Sequence, residues 1–176
     1  PLPKRPSYAL VLSDRPQPLL FRRANTLFLR ERTKWSLATF DGEYAFISTF
    51  LPFETACYSC LERRLESTMS IHNASYFLKF KETISCSSTS RLIPRPIIDV
   101  VAGFVGIEAI SILAHGSGNF GGKVLSVHLP TLTFELNDVF KLPRCDACGR
   151  LAQAKPSRQL YISMRQLIDI ARTAGK

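Results

Sequence analysis

Apolar and polar positions along this chain keep two rhythms, and the changes of rhythm mark its elements. Tyr8-Ala9-Leu10-Val11-Leu12-Ser13 is a short apolar run closed by Asp14-Arg15-Pro16, the pattern of a buried strand ending at a loop. From Leu19 to Lys34 the spacing turns helical. Leu20, Ala24, Leu27 and Phe28 share one side, while Arg22, Arg23, Arg30, Glu31 and Arg32 fall mostly on the other. Ser36–Phe40 and Glu43–Phe50 read as strands joined at Asp41-Gly42, a dipeptide typical of hairpins. After Pro52 and a first cysteine pair comes a charged helix, Leu61-Glu62-Arg63-Arg64-Leu65-Glu66. Residues 67–92 are polar, with Ser and Thr gathered around Cys86, as in a crossover loop.

Pro94 and Pro96 introduce a helix from Ile97 to His115 that is apolar nearly all round, which predicts a place in the middle of a domain. Ala102, Gly103 and Gly106 would let another backbone approach it closely. Its length invites a reading as a membrane span, but Asp99 and Glu108 lie inside it, and each charge costs a few kcal/mol at a bilayer centre. Gly116 to Gly122 reads as a flexible turn. Lys123–Leu129 and Thr131–Leu136 alternate like two strands joined at Pro130. Beyond a Lys-Pro-Ser linker, Ser157–Ala174 has a helical pattern.

Composition narrows the class. Apolar residues make up 45% of the 176 and charged ones 21%, the balance of a folded domain rather than a disordered chain. Twenty-three Lys and Arg against fourteen Asp and Glu leave a net charge of +9, which favours acidic partners without choosing among them. The start, Pro1-Leu2-Pro3-Lys4-Arg5-Pro6, has neither Met nor an apolar core, so it is no signal peptide, and a piece of a longer chain is expected.

Four of the five cysteines fall in two C-x-x-C pairs, Cys57/Cys60 and Cys145/Cys148, with 84 residues between them. Two residues between sulfurs let both point inward from one tight turn, and two such turns make the closed tetrahedral thiolate cage that zinc accepts. At this separation the ion would join two distant segments of one domain, with no open position for substrate. Two unrelated reduced pairs, or one redox pair, are the competing readings.

The other motifs carry less. Gly116-Ser117-Gly118-Asn119-Phe120-Gly121 spells G-x-G-x-x-G, but a helix precedes it and a strand follows, the reverse of a dinucleotide site. Gly122-Lys123 lacks the Ser or Thr of a P-loop. Cys86 has no neighbouring base, and His72, His115 and His128 show no metal spacing. Asn73-Ala74-Ser75 matches a glycosylation sequon without other marks of secretion. The arginines of 22–32 read as a solvated helix face.

The order of parts resembles something larger. A strand ending in Asp, a helix, two strands and a C-x-x-C are followed by a crossover, an apolar helix bearing Glu108-Ala109, two strands and Pro-x-Cys-x-x-Cys-Gly. This resembles the C-terminal half of the ubiquitin-activating, ThiF/MoeB-like adenylating fold, over residues 8–150. The resemblance implies an α/β, Rossmann-related domain at 1–150 with a linker and helix at 151–176. It also implies a structural zinc on Cys57, Cys60, Cys145 and Cys148. The family's ATP-binding half would precede Pro1, so ATP is not expected to bind this chain and no catalytic residue is assigned. Cys86 falls near a thiol of the adenylating enzymes, but Ser88-Thr89-Ser90-Arg91 replace the small residues found there.

Cys57-Tyr58-Ser59-Cys60-Leu61-Glu62-Arg63-Arg64-Leu65 is similar to a stretch of one divergent branch, the cyclodehydratase partner proteins of thiazole/oxazole-modified peptide (bacteriocin) biosynthesis. That likeness implies a cytoplasmic scaffold that presents a precursor leader peptide to a YcaO-type ATP-dependent cyclodehydratase. Neither nucleic acid nor a membrane is an expected partner, and a homodimer is compatible with the pattern. The alternative is a fragment of an enzyme that adenylates a small sulfur-carrier or ubiquitin-like protein.

Overall fold

The computed structural model describes residues 7–68 and 93–149. In chain order the elements are β1 (Tyr8–Ser13), α1 (Pro18–Glu31), β2 (Lys34–Asp41), β3 (Tyr44–Phe50), α2 (Tyr58–Thr68), α3 (Arg95–His115), β4 (Lys123–His128) and β5 (Thr133–Asp138). The five strands form one sheet in sequence order. β1 and β2 are parallel, with α1 as the crossover that parallel pairing demands, and every later pair is antiparallel. The Cys86 segment, the sequon, His72 and the stretch expected as a C-terminal linker and helix lie outside the described residues.

Local chemistry explains the boundaries. Proline at the first position starts α1. The helix ends in a Schellman motif: Arg32 turns left-handed (φ 53°), its N–H donates to Leu29 O, and the Thr33 N–H donates to Phe28 O at 2.9 Å. The β2–β3 hairpin pairs Asp41 with Tyr44 around Gly42, whose left-handed φ of 63° favours a residue without a Cβ.

The sheet is covered on both faces. On one side Phe21 and Phe28 of α1 meet Tyr58 and Trp35 at ring separations of 5.6 and 5.5 Å, and Phe50 joins Trp35 and Tyr58 at 4.6 and 6.3 Å. On the other, Val101 and Val105 of α3 pack with Ala38, Ala45, Ile47, Leu125 and Val127.

The structure corrects the expectation that the long apolar helix is buried all round. α3 buries only Val101, Val105, Glu108 and Ile112, a single stripe laid along the sheet. Ile107, Ile110 and Leu113 are 59–68% exposed. α3 is long and apolar enough to cross a bilayer by length and composition. Its inner stripe is nevertheless taken up by the sheet.

Charge is also distributed unevenly. The described residues hold twelve Lys and Arg against twelve Asp and Glu, so the surplus of +9 belongs wholly to the rest of the sequence. An acidic partner attracted by that surplus would not be answering the described body.

A candidate metal centre of four cysteines

The first knuckle is the entry to α2. Cys57 precedes the helix and Cys60 lies in its first turn, where the Cys60 and Leu61 N–H groups donate to the Cys57 carbonyl at 3.0 and 3.1 Å. The second knuckle follows β5 in Pro143-Arg144-Cys145-Asp146-Ala147-Cys148-Gly149. It closes when the Gly149 N–H donates to Cys145 O at 2.8 Å. A Cβ at Gly149 would collide with that carbonyl, which is why glycine stands there.

The fold brings the two knuckles together. All four sulfurs lie within 4.8 Å of one another and all four cysteines are buried. The separations Cys57–Cys60, Cys57–Cys145 and Cys60–Cys148 are 3.8, 3.7 and 3.6 Å. A disulfide would need about 2.05 Å. Four thiolates at a Zn–S distance of about 2.3 Å on tetrahedral corners would stand about 3.8 Å apart. The donor set is soft and closed, so the geometry is compatible with zinc.

As thiols these groups perturb each other strongly. Hydrogen bonding from Cys148, then from Cys57, together with the Leu142 N–H at 3.4 Å, holds Cys60 far below the ordinary thiol range. The bonds to Cys57 and Cys60, with burial, push Cys148 far up. A cation would replace the shared protons and remove that conflict.

Sequence reasoning missed the supports around the knuckles. Asn25, buried in α1, accepts from the Tyr58 N–H through Oδ1 at 3.1 Å and donates from Nδ2 to Ser59 Oγ at 3.3 Å, so it clasps the first C-x-x-C from outside. Arg63 reaches Asp146 at 3.0 Å, tying α2 to the second knuckle. The Arg64 Nε donates to Phe140 O at 2.9 Å with its guanidinium over the Phe140 ring. Glu62, in turn, pairs with Arg22 at 2.8 Å. Burial raises the Glu62 carboxyl, and Arg22 works against that rise. The polar pattern of Leu61-Glu62-Arg63-Arg64 was legible as a helix face, but Arg22, Asp146 and Phe140, which it reaches, are 40 or more residues away.

The glycine-rich loop has a local role. Asn119 and Phe120 N–H groups donate to the fully buried carboxylate of Glu108 at 2.6 and 3.0 Å. Gly118 is required because a Cβ there would run into that carboxylate. Elsewhere, His115 lies in the last turn of α3. His128 binds Thr131 Oγ1 at 2.7 Å and lines a shallow cavity of about 170 Å³ with Tyr44, Ser126, Thr133 and Glu135.

No protein-family model matches the chain. Protein HesA of Leptolyngbya boryana is 23% identical over 145 residues, 81% of this chain and 46% of HesA. Among solved structures, E. coli MccB with MccA superposes at a TM-score of 0.61 and 16% identity, over 84% of this chain and 40% of MccB. A heterocyclase in complex with substrate and cofactor gives 0.62 and 21%, over 89% of this chain and 23% of that one. The heterocyclase TruD gives 0.61 and 20%, over 94% and 26%. The fold is that of the MccB and heterocyclase proteins, as the order of parts in the sequence implied. This chain spans less than half the length of each of these proteins.

Proposed function

We propose that this chain is the zinc-bearing scaffold portion of a thiazole/oxazole-forming peptide cyclodehydratase, acting with a YcaO-type ATP-dependent partner. Cys57, Cys60, Cys145 and Cys148 hold one zinc, and its role is structural, because four thiolates leave no position for a substrate. The ion supplies a rigid corner that joins the entry of α2 to the segment after β5.

One observation carries this reading: two knuckles 84 residues apart converge on a single point within a fold shared with two heterocyclases. The reaction concerned is cyclodehydration, in which a Cys, Ser or Thr side chain of the peptide attacks the preceding amide carbonyl and one water leaves per ring. This chain contributes placement of the peptide, while activation of the amide oxygen belongs to the ATP-dependent partner.

The test is reconstitution. A candidate YcaO-type protein, ATP and a Cys-rich precursor peptide are incubated with and without the chain, and the peptide mass is followed. Loss of water that depends on the chain supports the proposal. ATP–pyrophosphate exchange by the chain with a small carrier protein, and no effect on cyclisation, would replace it with the adenylating alternative. That second reading draws support from MccB, whose fold is the same and which has been crystallised with ATP.

A further inference from the structure

Beside the cysteine site, cations and aromatic rings alternate across four separate segments of the chain. Arg32, at the end of α1, holds its guanidinium 5.7 Å from the centroid of the Phe53 ring, in the loop after β3. The Lys141 ammonium, in the segment after β5, donates to Phe53 O at 2.8 Å. Phe140 precedes it and carries the guanidinium of Arg64, from α2, 5.5 Å from its ring centroid, while Arg64 Nε donates to Phe140 O. The order across the surface is cation, ring, cation, ring, cation. Leu142, the next residue, donates its N–H to Cys60 Sγ, which fixes this row against the cysteine knuckles.

Two features set the row apart. Arg32 and Lys141 are exposed, and no carboxylate among the described residues pairs with either of them. The Arg32 guanidinium makes no hydrogen bond among those residues and Lys141 uses one of its three donors, so most of their N–H groups are left open. The second feature is the backbone. Arg32 and Phe53 are both left-handed, at φ 53° and 66°, a region that residues with a Cβ rarely occupy and that gathers at binding sites. Leu132 is the only other such residue among the described ones. Phe140, 65% exposed, supplies an apolar surface between the cations.

We infer that this row is a docking surface for an acidic segment of a protein partner, an extended stretch in which Asp or Glu alternates with apolar residues. Its carboxylates meet Arg32 and Lys141, the first through the planar fork that suits a carboxylate, and its apolar side chains lie against Phe140. A compact phosphate fits less well, because the donors are strung along the surface instead of converging on one point. A nucleic acid also fits less well. Each ring already has a guanidinium on one face, and the described body has no net charge to draw a phosphate chain. Recognition acts at contact range, not by steering from afar. The inference goes beyond the proposed function and does not rest on it, since it fixes the chemistry of a partner segment whichever reaction the assembly performs.

The probe is a short fluorescein-labelled peptide in which Glu and Leu alternate, with a Lys and Leu peptide beside it, read by fluorescence anisotropy at low salt. The 176-residue chain is expected to bind the Glu peptide saturably and the Lys peptide far more weakly. Because the surplus of +9 lies outside the described body, variants decide where the peptide sits. Arg32→Glu and Lys141→Glu should each weaken binding by about fivefold or more. Arg95→Glu, the same change of charge at the start of α3, should leave it unaltered. All three positions are exposed, so circular dichroism should report an unchanged fold for each variant. Absence of binding would overturn the inference, and so would equal binding of the Lys peptide or equal weakening by Arg95→Glu. A single-stranded oligonucleotide bound more tightly than the Glu peptide, with the same dependence on Arg32 and Lys141, would replace the acidic segment with nucleic acid.

Discussion

The carboxylate of Glu108 is enclosed between α3 and the loop of residues 116–122, where it serves as acceptor for two backbone N–H groups. Glu108→Ala would leave the buried Phe120 N–H without a partner, at about 1–3 kcal/mol, while the N–H of the exposed Asn119 can turn to solvent. Loss of about 1–3 kcal/mol is expected in urea denaturation, with an unchanged slope. Gly118→Ala attacks the same contact from the other side and should cost about 1–3 kcal/mol by overpacking, whereas Gly103→Ala, facing open space, should add roughly 0.5–1 kcal/mol to the single chain. On the same face Tyr8 OH donates to Ser36 Oγ at 2.6 Å, and Ser36 Oγ lies 2.6 Å from Thr49 Oγ1. Burial, opposed by that hydrogen bond and aided by the charge of Glu108, pushes the Tyr8 phenol up to about 12. A raised acid keeps its proton in the folded state while the unfolded chain loses it. Its contribution is complete below the ordinary value of about 10 and disappears as pH rises toward 12. Guanidinium midpoints measured across that window should fall, and Tyr8→Phe should make the fall shallower.

At the scale of elements, α2 is clasped at its start by Asn25 and tied further along by Glu62, Arg63 and Arg64. Cys57 immediately precedes its first turn and Cys60 lies within it, and Asn25 of α1 fixes that turn through Tyr58 and Ser59. Asn25→Ala removes the acceptor for a buried N–H and is expected to cost about 1–2 kcal/mol. It should also lower zinc affinity by about 10–100-fold in competition with a chromophoric chelator, as loss of an outer-shell support does elsewhere. Unchanged affinity would make Asn25 a helix clasp alone. α3 shows how an element's sequence and its surroundings separate. Its composition suits burial on all sides, yet the five strands provide one apolar face, so only the stripe Val101–Val105–Glu108–Ile112 is covered.

For the molecule as a whole, the cysteine site closes the path between the entry of α2 and the segment after β5. Metal analysis of the purified chain should find about one zinc, and Cys145→Ser should reduce both zinc content and folded yield. Chelation should lower Tm by roughly 10–20 °C, the consequence of several kcal/mol in a domain of this size. A chain that is zinc-free and equally stable would remove the structural role assigned to the ion. The balance of twelve basic and twelve acidic residues in the described body is a second property of the whole. It places the capacity to attract acidic molecules in the remaining segments.

The amino-acid pattern by itself settled what depends on near neighbours. Periodicity gave the helices and strands, Asp41-Gly42 the hairpin, and two spaced cysteine pairs the chemistry of the site, because each of these is encoded within a few residues. Which side of α3 is covered, what Glu108 and Asn25 bind, and that two knuckles 84 residues apart share one point were decided only by tertiary structure. Those contacts join residues whose separation along the chain carries no periodic trace. They exist because the sheet fixes distances that local preference cannot reach.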